Sequence, residues 1–183
     1  IVAGYSDATN GDVTGNHGFT DFWVVKINSS GVITWQKSLG GTDEDRAMSV
    51  VQAAAGGYVV VGQTQTNNNG DVSGKHALID AWVVKLNSSG SLQWQKCVGG
   101  GFNDIAASVI QASDGNFIIA GQTNSTDGDV AGSHGANEFW VVKVSSSGGL
   151  TWQKCYGGFM DEWAKSIQEV ARTSYIVCGL TYS

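Results

Sequence analysis

The chain has 183 residues, with 26 Gly, 7 Trp and no Pro; against ordinary usage of roughly 7% Gly and 5% Pro this excludes collagen, proline-rich linkers and coiled coils. A content of 42% hydrophobic and 10% aromatic residues excludes disorder. Ten basic and 16 acidic residues give a net charge of -6, which does not suit a partner whose phosphates need neutralising cations, and no run of about 18 apolar residues offers a membrane span.

In chain order, Ile1–Gly4 reads as the end of a strand, and residues 6–21 form a polar loop. Two strands follow in DFWVVKINSSGVITWQKSLGG at 21–41, joined by a tight Ser-Ser-Gly turn. AMSVVQA at 47–53 and GGYVVVGQT at 56–64 read as two more strands, rich in Val and bounded by Gly, Asp and Asn. The order then recurs. DAWVVKLNSSGSLQWQKCVGG at 80–100 and EFWVVKVSSSGGLTWQKCYGG at 138–158 repeat the hairpin, so that Trp23, Trp82 and Trp140 lie 59 and 58 residues apart. AASVIQA with GNFIIAGQT, and AKSIQEV with SYIVCGLT, repeat the other pair. AKSIQEVAR alone would pass for a helical turn, but its sister copies favour a strand. The chain is one repeat domain over 1–183, with units near 1–58, 59–117 and 118–175, and 176–183 starting the next.

The strands alternate in a way that leaves both faces apolar. Trp23, Val25 and Ile27 fall on one face, Phe22 and Val24 on the other. Such a sheet buries itself between two neighbours. The expected fold is therefore all-β: a β-propeller-type array of four-stranded antiparallel blades, three repeats and part of a fourth, partial or completed by oligomerisation. A β-trefoil is the alternative. The structural core is expected to hold Trp23, Trp35, Trp82, Trp94, Trp140 and Trp152. Each buries about 150–250 Å², a gross transfer term of about 4–6 kcal/mol.

The pattern W-V-V-K-x-N-x-x-G-x-x-x-W-Q-K-x-x-G-G, followed by G-x-Y-I-V-x-G-x-T, resembles the roughly sixty-residue propeller-like repeats of secreted and surface proteins in Bacteroidota and some archaea, and is similar to the delta-60 repeat family. Its hairpin also resembles quinoprotein-type blades and the Asp-box of sialidase propellers, but Ser30, Ser89 and Ser147 stand where the latter would place Asp. The resemblance implies a propeller at an extracellular or cell-surface location, and implies no particular activity.

Three polar sets repeat. G-D-V-x-G-x-H occurs in every copy and places His17, His76 and His134 at one position and Asp12, Asp71 and Asp129 five residues earlier. These six are the candidate ligand-binding loop residues. Asn10, Asn69 and Asp127 precede the aspartates by two, and a D/N-x-D spacing across Gly supplies hard oxygens suited to Ca²⁺. The candidate metal set is thus Asn10, Asp12, Asn69, Asp71, Asp127 and Asp129. The same residues suit a purely local use as Asx-turns. Asp45, Asp104 and Glu162 follow the Gly-Gly pairs and are placed to cap those turns. Asp21, Asp80 and Glu138 open the third strand of each unit, with Lys26, Lys85 and Lys143 five residues on and Lys37, Lys96 and Lys154 on the next strand, an arrangement that suits cross-strand pairs.

Neither G-x-S-x-G, H-E-x-x-H, a P-loop nor a dinucleotide fingerprint occurs. Catalysis favours one asymmetric constellation rather than three equal ones. The expected function is accordingly a non-catalytic binding or adhesion propeller module with multivalent loop sites, for a carbohydrate or protein ligand. No cofactor is expected except Ca²⁺. The partners expected are a further copy or further blades, without nucleic acid or a membrane span. The alternatives are a structural or self-assembling blade array and a fragment of a propeller enzyme whose catalytic residues lie elsewhere.

Overall fold

In the computed structural model, which describes residues 1–182, thirteen β-strands form four separate antiparallel sheets. The first sheet has three strands, β1 (Val2–Ser6), β2 (Asp21–Ile27) and β3 (Ile33–Leu39), in that order. The second runs β4 (Asp45–Gln52), β5 (Tyr58–Thr64), β6 (Asp80–Leu86) and β7 (Leu92–Val98). The third repeats it with β8 (Asp104–Gln111), β9 (Phe117–Thr123), β10 (Glu138–Val144) and β11 (Leu150–Tyr156). The fourth holds only β12 (Glu162–Ala171) and β13 (Ser174–Thr181). The segment AKSIQEVAR is strand over its first eight residues, because β13 offers it an antiparallel partner.

Register follows the repeat. Trp23 pairs with Gly4, Trp82 with Gly62 and Trp140 with Gly121. A bulge recurs after Lys26, Lys85 and Lys143, and another after Ala47, Ala106 and Ala164. The β2–β3 turn closes with Gly31 N donating to Asn28 O at 3.0 Å, while Asn28 Oδ1 accepts from Ser30 N and Val32 N. Gly31 has φ 77 there, a region that costs a side-chain-bearing residue about 1–2 kcal/mol. Asn28 thus closes this turn with its own side chain.

Successive sheets stack through three apolar cores. Phe22, Val24 and Leu39 of the first sheet meet Val60, Trp82, Val84 and Leu86 of the second. The second sheet's opposite face, with Val59, Val61 and Val83, meets Phe117, Ile119, Trp140 and Val142 of the third. Ile118, Ala120 and Val141 then meet Ala164 and Ile167 of the fourth. The tryptophans divide accordingly. Trp82 and Trp140 are fully buried, and Phe22 lies edge-on to Trp82 at 4.6 Å. Trp23 is half-buried, since among the described residues no further sheet stacks on its side of the first sheet. Trp35 and Trp94 lie over the hairpin turns of the following sheets: a Cβ on Gly90 would meet the Trp35 ring at 2.9 Å, and one on Gly148 the Trp94 ring at 3.0 Å. Trp152 packs on the core between the third and fourth sheets.

These sheets do not form the propeller array or the trefoil expected from the sequence. Every sheet is open, and none curls or joins another by a strand ladder. Among the described residues the isolated β-bridges between consecutive sheets are Thr20↔Glu44 and Ile79↔Asn103, which is far short of a barrel. The physical reason is that the repeat encodes contacts between one sheet and the next, and such contacts are satisfied without any closure. No helix among the described residues is long and apolar enough to cross a membrane.

Candidate functional site

The polar groups of each repeat collect at one end of the sheets, where a G-D-V loop meets the Gly-Gly turn of the preceding sheet. The loop is anchored by one apolar residue, Val13, Val72 or Val130, all buried. A turn tightens it, with Val72 N donating to Asn69 O at 3.0 Å and Val130 N to Asp127 O at 3.0 Å. The loop then clips to the sheet before it. Asp71 N donates to Gly40 O at 2.9 Å and Asp129 N to Gly99 O at 2.8 Å. Asn69 Oδ1 accepts from Thr42 N at 2.9 Å, and Asp127 Oδ1 accepts from Gly101 N at 2.6 Å. The side-chain oxygens of Asn69 and Asp127 and the backbone N–H groups of Asp71 and Asp129 thus join consecutive sheets. Asn10 and Asp12 precede the first core and lie exposed.

A residue class that sequence reading passed over fixes the other side of the loop. Trp23, Trp82 and Trp140 donate from Nε1 to Gln36, Gln95 and Gln153 at 3.0, 2.8 and 3.0 Å. The same glutamines donate from Nε2 to the loop carbonyls of Thr14, Ser73 and Ala131. The signal was present in the invariant W-Q-K. A glutamine amide carries both a donor and an acceptor, so one side chain can tie the indole to the loop.

The three histidines do not converge. Each turns back on the acid four residues ahead. His17 Nδ1 lies 2.7 Å from Asp21 Oδ2, His76 Nδ1 2.6 Å from Asp80 Oδ2, and His134 Nδ1 3.2 Å from Glu138 Oε2. The backbone N–H of each histidine donates to the same carboxylate. Asp21, Asp80 and Glu138 are wholly buried, so they are not the exposed partners of strand lysines that the sequence suggested. The lysines go elsewhere. Lys85 is buried and donates to the carbonyls of Gly56 and Leu86, and burial lowers its pKa. Lys143 pairs with Asp114, whose pKa is held down to about 2 by that hydrogen bond.

Asp45, Asp104 and Glu162 cap the Gly-Gly turns. They accept from Gly41 N at 2.9 Å, Gly100 N at 2.7 Å and Gly158 N at 3.0 Å. Thr66 and Ser125 donate to Asp45 and Asp104 at 2.8 and 2.9 Å, and Thr123 also donates to Asp104. A cleft of about 390 Å³ opens between the first two sheets, lined by Thr14, His17, Gln36, Lys37, Asp71 and Leu92. Its counterpart at the next junction places Asp129 Oδ2 3.8 Å from His76 Nε2 and 3.9 Å from Lys96 Nζ. Among the described residues no three His, Cys, Asp or Glu side chains gather into a metal-holding group, and the bonded ring nitrogens of the histidines face carboxylates rather than a Ser or Cys.

The cysteines are free. Burial is the largest cause raising the Cys97 thiol to about 12 and the Cys155 thiol to about 11, with Asp80 and Glu138 adding to it. Thiolate is the reactive form. An aromatic disulfide reagent at about pH 8 is therefore expected to titrate Cys178 alone in the native protein and all three thiols in denaturant. Rapid native modification of Cys97 would show that the core between the first two sheets is not closed.

No family model matches this chain. That finding, with the open sheets, overturns its assignment to the delta-60-like repeats of Bacteroidota. The chain is similar to the regulatory protein FlaEY of Caulobacter vibrioides, being 28% identical to it over 150 residues. The match covers 75% of this chain and 15% of that protein. The chain therefore spans a small fraction of the curated relative's length.

The expected adhesion module with multivalent loop sites has no propeller to present it. Two of the three loops are instead clipped to the sheet before them, through Asn69 and Asp71 and through Asp127 and Asp129.

Proposed function

We propose that this chain is a non-catalytic association module that joins a second copy of itself through its end sheets. The observation carrying this reading is that the two open faces repeat, at equivalent positions of the strands they hold, apolar residues of the two faces that meet inside the molecule. Val2, Trp23 and Ile27 on the free face of the first sheet match Ile119, Trp140 and Val144, which the second sheet covers. Ile176, Cys178 and Leu180 on the free face of the fourth sheet match Ile118, Ala120 and Gln122 of the third, whose apolar pair the fourth sheet covers. Val2 is 53% exposed and Ile176 56% exposed. Apolar surface of this kind marks an interaction site. The first face of one copy and the last face of another have the chemistry of the internal junctions. A head-to-tail contact between them is heterologous.

The strand edges support the same reading. Among the described residues β13 has one neighbour, whereas its equivalents β5 and β9 have two. An edge of this kind is a template for a further strand. The FlaEY match, a small part of a protein whose name calls it regulatory, fits a module carried within longer chains. Calcium on the loop oxygens and an extracellular or surface location are proposals on the same footing, and rest on the sequence.

The test is solution mass across a concentration series, with and without chelator. Mass is expected to exceed 19.2 kDa with rising concentration, and Val2→Lys or Ile176→Lys is expected to hold the chain at monomer mass while its unfolding stays cooperative. A wild-type chain that remains monomeric throughout, or lysine variants that associate as well as wild type, would overturn the proposal.

A further inference from the structure

At the first two sheet junctions, the loop and hairpin of the following sheet make a fixed set of contacts with the sheet before it. Phe22 lies edge-on to Trp82 of that hairpin at 4.6 Å. Trp35 and Trp94 donate from Nε1 to the hairpin-turn carbonyls of Ser88 and Ser146, each at 3.2 Å. The loop N–H groups of Asp71 and Asp129 donate to Gly40 O and Gly99 O, and Asn69 and Asp127 accept from Thr42 N and Gly101 N. The hairpins themselves pair with β5 and β9, setting Trp82 opposite Gly62 and Trp140 opposite Gly121.

The fourth sheet holds β12 and β13 and, among the described residues, no such loop or hairpin. The groups that would receive them are in place. Phe139 stands at the repeat position of Phe22, and Trp152 at that of Trp35 and Trp94. Both are half-buried, and among the described residues Trp152 Nε1 has no acceptor. Gly157 and Phe159 occupy the positions of Gly40 and Thr42 in the third Gly-Gly turn. Tyr175 and Val177 are half-buried, whereas Tyr58 and Val60 of β5 and Phe117 and Ile119 of β9 are buried. The backbone of β13 is set as in those strands. Gly179 pairs with Ala164 as Gly62 does with Ala47 and Gly121 with Ala106. A Cβ on any of the three would strike a carbonyl oxygen of the adjacent strand, that of Trp163, Arg46 or Ile105.

We propose that the edge of β13, with Phe139, Trp152 and the turn from Gly157 to Phe159, is a docking site for a β-hairpin of this same repeat chemistry carried by another polypeptide. The internal junctions specify the occupant. It opens with N/D-G-D-V, whose first side chain accepts from Phe159 N and whose aspartate N–H donates to Gly157 O. Its first strand reads W-V-V-K, with the tryptophan opposite Gly179 and its indole against Phe139. Its turn is N-S-S-G, and the carbonyl of the first serine accepts from Trp152 Nε1. Main-chain pairing along β13 supplies affinity, and these side-chain contacts select the sequence. Covering Phe139, Tyr175 and Val177 removes apolar surface from water. The site is distinct from the face contact proposed above. The hairpin lies beside β13 rather than over Ile176, Cys178 and Leu180, and it completes the strand order of the second and third sheets.

The probe is a reduced synthetic peptide with the sequence of residues 66–98, titrated calorimetrically into the Val2→Lys chain. That substitution lies on the first sheet, away from this edge, and keeps self-association out of the reading. One-to-one binding is expected, with slowed amide exchange along β13, and a scrambled peptide is expected to leave that exchange unchanged. Trp82→Ala in the peptide is expected to weaken binding about thirtyfold or more. Trp152→Phe in the chain is expected to weaken it about threefold to tenfold, through loss of one hydrogen bond. Absence of binding would overturn the proposal, as would binding that survives Trp82→Ala in the peptide or leaves β13 exchange unchanged. A wild-type chain that no longer takes up the peptide once associated would give this edge to a second copy, and would overturn it too. If Val2→Lys still associated, the face contact would fall, while the peptide titration would still report on this edge.

Discussion

Trp82→Ala is expected to lower stability by about 3–5 kcal/mol, read as a fall in the urea midpoint without loss of cooperativity. The indole is fully buried between the first two sheets, where Phe22 meets its edge at 4.6 Å. Its Nε1 holds Gln95, and Gln95 holds the Ser73 carbonyl of the loop. Truncation thus opens a cavity and strands a glutamine whose other end fixes the clip onto Gly40. Trp23→Ala supplies the comparison. Trp23 stands at the equivalent repeat position with an equivalent glutamine contact, yet is only half-buried. Its loss is expected to cost less than half as much in the monomer, because little apolar surface is covered there and water can fill the space. Equal losses for the two variants would mean that the first sheet is covered in solution, and unequal losses that converge at high protein concentration would tie the difference to association. A Trp82→Ala midpoint unchanged from wild type would contradict the stacking of the first two sheets.

Much of this arrangement could be read from the sequence because the repeat states it three times. F-W-V-V-K puts Phe22 and Trp23 on opposite faces, and both faces are apolar, so a neighbour on each side follows. Curvature and closure do not follow. Those depend on how many sheets meet and what becomes of the last faces, and no residue within a repeat differs according to the answer. The same limit governed the loop. Asn69 and Asp127 carry oxygens that suit a cation and suit a backbone N–H equally well. The choice was made by Thr42 N and Gly101 N of the preceding sheet, which lie 27 and 26 residues away in sequence. The histidines were a nearer miss. His17 to Asp21 is a spacing of four in every copy, but the strand lysines drew the expected carboxylate partner because burial of Asp21, Asp80 and Glu138 cannot be seen from composition. Asp45, Asp104 and Glu162 were placed correctly on the Gly-Gly turns, since a carboxylate four residues past paired glycines has few other donors within reach.

Gly121→Ala is expected to destabilise by about 3 kcal/mol or more, at the upper end of what overpacking costs. The effect is steric rather than conformational. A methyl at Gly121 would fall within the van der Waals envelope of the Ile105 carbonyl oxygen, and close to the Cα of Ala106 at 3.0 Å. Both are backbone atoms of the adjacent strand, so no rotamer can relieve the contact. The glycine sits beside the bulge between Ala106 and Ser108, where β8 bends toward β9. It also pairs with Trp140 in β10. Filling it would force β8 and β9 apart within the complete third sheet and disturb the core on either side. Gly115→Ala is the matched control: its added carbon meets open space, and the cost there is backbone strain at φ 85, about 1–2 kcal/mol. Amide exchange separates the two. Gly121→Ala is expected to speed exchange along β8 and β9, whereas Gly115→Ala is expected to affect only the turn. If Gly121→Ala melted with the wild type and kept β8 protected, the tight approach of these two strands would be refuted, and with it the geometry that seats Trp140 between the second and third sheets.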